Sequence, residues 1–218
     1  MSFTTFVYSK LLDGGVKQEF IDSYEDLKPD YVGYIETDFV SRFRHFASFE
    51  TRNGEIVENQ ELYETFNSVR DFHEKYDKGE KLPSIRRDLI ENGVIQDFLY
   101  KIFDIAPVSI NDHFSIGIHQ VRVITDKDHV GDNAPGLHKD GYDYSCDLNI
   151  SRNNVNGGIT LLSTSEKEED IFLEHTLTLN EVVFFNDRIL YHCATKITPI
   201  DVTKKAYRDM VIIDFLRI

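Results

Sequence analysis

The sequence predicts a mainly β fold with flanking α-helices: an antiparallel sandwich or jelly roll with N-terminal helices packed on one sheet. Three observations lead there. After Ala106 the chain breaks into short runs rich in Val, Ile, Phe, Tyr and Thr. Those runs are bounded by the turn-forming stretches "DNAPG", "RNNVNGG", "EKEED", "LNE" and "ND". Before Ala106, by contrast, apolar residues recur at helical spacing.

Taken in order, "LKPDYVGYIETDFVSRFRHFASFET" reads as a turn followed by extended segments, with Pro29 and Gly33 as punctuation. "NQELYETFNSVRDFHEKY" places Leu62, Phe66 and Val69 on one helical stripe. "LPSIRRDLIENGVIQDFLYKIFDI" does so more strongly. Ser84 is placed to cap it after Pro83, Leu89, Ile90, Ile95, Phe98, Leu99 and Phe103 form its apolar face, and Gly93 is a break point. Strands are expected near 114–125, 137–150, 158–163, 170–179, 181–186, 189–197 and 209–217. Residues 1–105 would be the mixed N-terminal part and 106–218 the core of a single domain.

Bulk properties narrow the function. A chain of 218 residues with 41% hydrophobic and 12% aromatic residues has enough apolar surface to fold around a core. Its net charge of -14, with no Lys/Arg stripe, argues against a nucleic-acid partner. Cys146 and Cys193 make neither a disulfide framework nor a CxxC site, which points to a reducing compartment. No signal peptide and no long apolar run is legible, so a cytoplasmic protein with no membrane partner is expected. Oligomeric state is not legible.

One pattern carries chemistry. In "GLHKDGYDYS", His138 and Asp140 stand two apart in an extended run, so both side chains point to one face. Alone, that pair also fits a surface hydrogen bond. His192 follows in the apolar run "ILYHCAT", and a jelly roll can bring that strand beside the first. Two imidazoles and one carboxylate on one face of a metal leave three positions open, a set that suits ferrous iron. Arg208 then opens "RDMVIIDFL", where a strand would carry its guanidinium into an apolar side with Met210 and Ile212. Such a cation needs an anion. Asp209 and Asp214 are internal candidates, and an organic acid is the external one.

The stretches "HQVRV", "PGLHKDGYDY", "NVNGGITLL" and "FFNDRILYHCAT", ending with Arg208, resemble the iron(II) and 2-oxoglutarate-dependent dioxygenases. The nearer likeness is to the bacterial branch that hydroxylates free L-amino acids, the isoleucine dioxygenase type. The match runs from Phe114 to the C-terminus, and "RFRHFASFE" also looks like the family's N-terminal region. The resemblance implies a double-stranded β-helix, a cupin-like jelly-roll core. It implies His138, Asp140 and His192 as Fe(II) ligands, with 2-oxoglutarate and O2 as cosubstrates. Arg208 would hold the distal carboxylate of 2-oxoglutarate, which is decarboxylated to succinate and CO2 as the substrate is hydroxylated. Halogenating relatives carry a small residue where this chain has Asp140, so a carboxylate there favours hydroxylation. Many relatives also place Ser or Thr two residues after the arginine. Met210 stands here instead, leaving Tyr207 or Thr198 as candidates for that contact.

Around the triad the roles are less constrained. Gln120 and Arg122 share a strand face, and the resemblance suggests that they reach the active site; Arg122 would grip a substrate carboxylate or bridge a neighbouring Asp. Tyr142 continues the phase of His138 and Asp140, toward the substrate or the core. A bulge at Gly141 would turn Asp143 inward to meet a substrate ammonium. Asp187 would orient His192 from behind or cap a turn. The expectation is thus a hydroxylase of a free amino acid. The alternatives are the same fold acting on another small molecule or a peptide side chain, and a non-catalytic metal-binding jelly roll.

Overall fold

In the computed structural model, which describes residues 6–10, 15–30, 39–62, 82–132 and 136–218, short N-terminal elements lead into a large antiparallel sheet. β1 (Phe6–Lys10), α1 (Gln18–Asp22) and a tight helical turn (Ser23–Asp26) come first. β2 (Arg42–Arg52) and β3 (Glu55–Glu58) form a hairpin. Its turn is Asn53-Gly54, with φ of 55° and 80°. Asn-Gly tolerates two positive φ values, which is why a two-residue turn closes here. α2 (Arg87–Glu91) and α3 (Val94–Ile105) divide at Gly93, φ 72°, the break that the sequence predicts.

The remaining strands are β4 (Phe114–Thr125), β5 (Tyr144–Asn153), β6 (Val155–Gly157), β7 (Thr160–Ser163), β8 (Ile171–His175), β9 (Glu181–Phe185), β10 (Tyr191–Ala194), β11 (Ile197–Pro199) and β12 (Ala206–Arg217). One sheet has the order β1-β9-β5-β12-β4-β2-β3. Opposite it lie β10-β7-β8 and β11-β6, extended by single bridges from His138 to His192 and from Gly131 to Ile197. Together they form the double-stranded β-helix.

Both faces of the large sheet are covered. On the outer face, Phe114, Ile116 and Ile118 of β4, Cys146, Leu148 and Ile150 of β5, and Val211, Ile213 and Phe215 of β12 meet the helices. α3 contributes Val94, Ile95, Phe98, Leu99, Ile102 and Phe103, an apolar stripe at i, i+3, i+4 spacing. Phe20 of α1 stacks on Phe98 at 5.6 Å and is fully buried. Phe20→Ala is expected to lower the unfolding free energy by about 3–5 kcal/mol, read from urea unfolding. On the inner face, Val183 and Phe185 of β9 pack with Leu162 of β7, and Val121 and Val123 of β4 pack with Ile197 of β11. No helix among the described residues is long and apolar enough to cross a membrane.

Several expectations are corrected. Ser84 does not cap α2: its N-cap is Arg86, while Phe46 N donates to Pro83 O and Ile85 N to Phe46 O, drawing Ser84 against β2. The strand expected over 137–150 starts at Tyr144, and the run expected over 189–197 is split into β10 and β11. The helix expected over "NQELYETFNSVRDFHEKY" falls mainly on 63–81, outside the described residues; only its start, a tight turn at Gln60–Leu62, is described.

Candidate metal centre

His138, Asp140 and His192 come together at one end of the space between the sheets. One ligand atom from each lies within 4.8 Å of the others, a group that could hold a metal ion. Asp140 stands between the imidazoles: Oδ1 is 3.7 Å from His138 Nε2, and Oδ2 is 3.5 Å from His192 Nε2. The backbone sets this geometry. His138 N donates to His192 O at 3.1 Å and His192 N to His138 O at 2.9 Å, so the two rings lie 4.4 Å apart. Gly141, φ 89°, then turns the chain away immediately after Asp140.

The far side of each imidazole is also addressed. His138 Nδ1 lies 2.8 Å from the Gly136 carbonyl, and His192 Nδ1 lies 3.3 Å from Asp187 Oδ1. In the neutral form, an imidazole whose Nδ1 proton faces these oxygens would direct its Nε2 lone pair at the space beside Asp140. Asp187 is fully buried, and it also accepts from Gly141 N at 2.7 Å and Tyr142 N at 2.9 Å. One carboxylate thereby holds both the loop carrying Asp140 and the ring of His192. Burial works against protonating His192, yet the carboxylates of Asp140 and Asp187 outweigh it and hold its pKa well above the usual value. Burial and the charge of His192 push His138 the other way. Asp187→Asn is expected to weaken iron binding roughly 10–100-fold, measured by metal titration. An unchanged affinity would mean that the ring orients itself.

Arg208 lies on the inner face of β12, opposite Val123 of β4 and Arg152 of β5. It is 2% exposed, its Nε donates to Asn149 Oδ1 at 3.4 Å, and its Nη2 has no hydrogen-bond partner among the described residues. The two acids on its own strand are engaged elsewhere. Asp209 pairs with Arg122, and Asp214 lies 3.3 Å from His119 Nε2 and accepts from Ser145 Oγ. Burial and the like charge of Arg152 bring the pKa of Arg208 down to about 10, against the pull of Asp147, so it remains a cation at neutral pH. Asp147 itself is buried and its pKa is raised by burial, although His192 and Arg208 both act on it to lower it. The triad and Arg208 therefore border the same interior.

The structure takes four of the expected substrate residues elsewhere or into packing. Gln120 points to the outer face, where its Nε2 donates to Ser23 Oγ. Arg122 is on that face too, held by both oxygens of Asp209 and by Glu25, which raise its pKa further although burial opposes them. Strand phase explains both: their neighbours Val121 and Val123 are the ones that face inward. Asp143 accepts from Arg217 N at 2.7 Å and lies 3.3 Å from Arg188 Nε, so it is occupied away from the triad. Tyr142 is fully buried against Phe46. Neither hydroxyl candidate reaches Arg208: Tyr207 lies under the Arg122 guanidinium at 4.3 Å, and Thr198 is exposed.

Asp147 and Asn149 are inward residues that the strand pattern could have revealed. In "SCDLNIS", polar and apolar residues alternate, and the apolar set, Cys146, Leu148 and Ile150, faces the helices. The polar set is therefore turned to the interior, the reverse of the usual half-exposed strand.

Comparison with known proteins agrees with this architecture. The 2OG-Fe dioxygenase family matches residues 21–214. Three solved structures share the fold. A bsmA homolog from Methylobium petroleophilum PM1 is 18% identical, with TM-score 0.69, over 91% of this chain and 80% of that one. IDO from Bacillus thuringiensis is 18% identical, with TM-score 0.70, over 98% and 90%. The Fe(II)/(alpha)ketoglutarate-dependent dioxygenase TqaL is 15% identical, with TM-score 0.62, over 98% and 83%. No curated protein matches the chain. Because the family match spans both the helical layer and the strands that carry the triad, the chain belongs to the 2OG-Fe dioxygenases.

Proposed function

We propose that this chain uses Fe(II), 2-oxoglutarate and O2 to hydroxylate a small organic substrate. Arg208 carries the reading: a buried guanidinium without an ion-pair partner among the described residues borders the same interior as a two-histidine-one-carboxylate set. Leaving a buried cation unpaired is costly, and a dicarboxylic acid that also reaches the metal would relieve it. The donor set fits the metal. Two neutral imidazoles and a carboxylate suit ferrous iron and leave positions for a keto acid and oxygen. Iron with 2-oxoglutarate and O2 supplies the oxidising step, with succinate and CO2 as coproducts.

The protein's own groups have narrower tasks. Asp187 fixes the ring of His192 and the turn after Asp140. Arg208 orients the cosubstrate through its distal carboxylate. The apolar cluster of Leu162, Val183 and Phe185, whose Phe185 ring lies 4.8 Å from that of His192, would help keep water out of the interior beside the ligands.

For the substrate, the broader class is favoured over a free amino acid. Arg122 and Asp143, the groups that would have gripped a carboxylate and an ammonium, are both engaged within the protein. IDO and TqaL share the fold at 18% and 15% identity, which speaks to architecture alone. The test is succinate release by the iron-loaded protein with 2-oxoglutarate and O2, against a panel of amino acids, other small acids and peptides. A compound that stimulates succinate and gains one oxygen identifies the substrate class. Absence of succinate with every compound, despite bound iron, would overturn the reading.

A further inference from the structure

Asp147 is a buried carboxylate without an internal use. It belongs to the inward-facing set of β5, directly opposite Val183 of β9 and Ile212 of β12. It is 7% exposed, and among the described residues it accepts no hydrogen bond and forms no ion pair. Asp214, the inward carboxylate of β12, has both Ser145 and His119. A buried carboxylate with no donor is costly, and Asn or Leu would fill the position without that charge.

Its neighbours show what it faces. From Arg208 to Phe215 every residue of β12 is buried except Ile212, the one opposite Asp147. Ile212 faces inward, since Val211 and Ile213 on either side pack against the helices. Its accessible surface and the Asp147 carboxylate therefore border one open space. Asn149, two residues along β5, touches Arg208, and Val183 packs with Leu162, the partner of His192. The space thus lies between the triad and the buried arginine, where a substrate must enter to reach the metal.

In the proposed function the two cationic groups that act on Asp147 are committed, His192 to the metal and Arg208 to the cosubstrate. Asp147 is then left to the substrate. A hydroxyl would leave the buried charge uncompensated, whereas an ammonium brings three donors and the opposite charge. Ile212 beside it offers the carbon frame an apolar contact.

We propose that Asp147 is a specificity-determining residue that binds a cationic nitrogen of the substrate, so that the substrate is an amine. This rests on the reading of the chain as a 2-oxoglutarate-dependent enzyme, and it fills the role that Asp143, held by Arg217 and Arg188, does not. The test uses protein loaded with manganese and 2-oxoglutarate without oxygen. It reads the paramagnetic relaxation of the protons of three probes that share a carbon frame and differ in charge: butylammonium, butan-1-ol and butanoate.

Wild-type protein is expected to relax butylammonium well above the other two. Asp147→Asn should weaken butylammonium binding about tenfold or more, and Asp147→Glu should keep it. Calorimetric titration should give both variants wild-type affinity for 2-oxoglutarate. The proposal is overturned if Asp147→Asn relaxes butylammonium as the wild type does, or if the wild type shows no preference for the cation. It is equally overturned if Asp147→Asn loses 2-oxoglutarate and butylammonium together, since that would make Asp147 a structural residue. Wild-type protein that fails to bind manganese or 2-oxoglutarate would instead overturn the functional reading itself.

Discussion

Replacing His138 or Asp140 by Ala is expected to abolish iron retention and turnover while leaving the fold nearly intact. Each change removes one of three donors from a group whose atoms lie within 4.8 Å of one another. The loss should exceed the roughly 10–100-fold that follows when only a residue orienting a ligand is removed. The small effect on folding follows from position. Both side chains sit outside the apolar clusters and retain some exposure, 19% for His138 and 15% for Asp140, so little packing is lost. Iron retained after desalting, succinate release and a thermal unfolding curve read the three quantities separately. Wild-type succinate release in either variant would sink the metal assignment.

Arg208→Met should raise the 2-oxoglutarate requirement on the order of 10²-fold or more, because truncating one partner of a buried, charge-assisted pair costs about 2–5 kcal/mol. A second expectation separates binding from structure. In the protein without 2-oxoglutarate, Arg208 is a buried cation lacking an ion-pair partner among the described residues, so an apolar side chain of similar length should not destabilise it. The variant's melting temperature without ligand is therefore expected to equal or exceed that of the wild type. The stabilisation that added 2-oxoglutarate gives the wild type should be lost. An unchanged 2-oxoglutarate requirement would remove Arg208 from the cosubstrate site, and a sharp fall in ligand-free stability would make it a structural residue.

Much of the architecture was legible before the fold was known. The stripe Leu89, Ile90, Ile95, Phe98, Leu99 and Phe103 is buried as its spacing predicts, because one face of a helix must cover the sheet. The β texture after Ala106 was equally clear, since turn residues mark where each strand stops. The Asn53-Gly54 hairpin was an available signal that the extended-segment reading did not use. Strand ends were less legible. Near His138 the backbone is held by two bonds to His192 and by Asp187 rather than by a ladder, and local propensity does not encode partners so distant in the chain.

What the sequence by itself determined was the inventory: two histidines and an aspartate in order, an arginine after them, and a β texture able to fold one strand beside another. Only the tertiary structure decided how those charges were spent. Arg122 and Arg208 both lie on long central strands, and each had several acids within reach of imagination. One meets Asp209 and Glu25 on the outer face, and the other is left inside beside Asn149. The physical reason is that a strand's alternation separates two faces without saying which one is the interior. In this fold both faces of the sheet are covered, so the polar set of β5 turns inward toward the metal while its apolar set supports the helices.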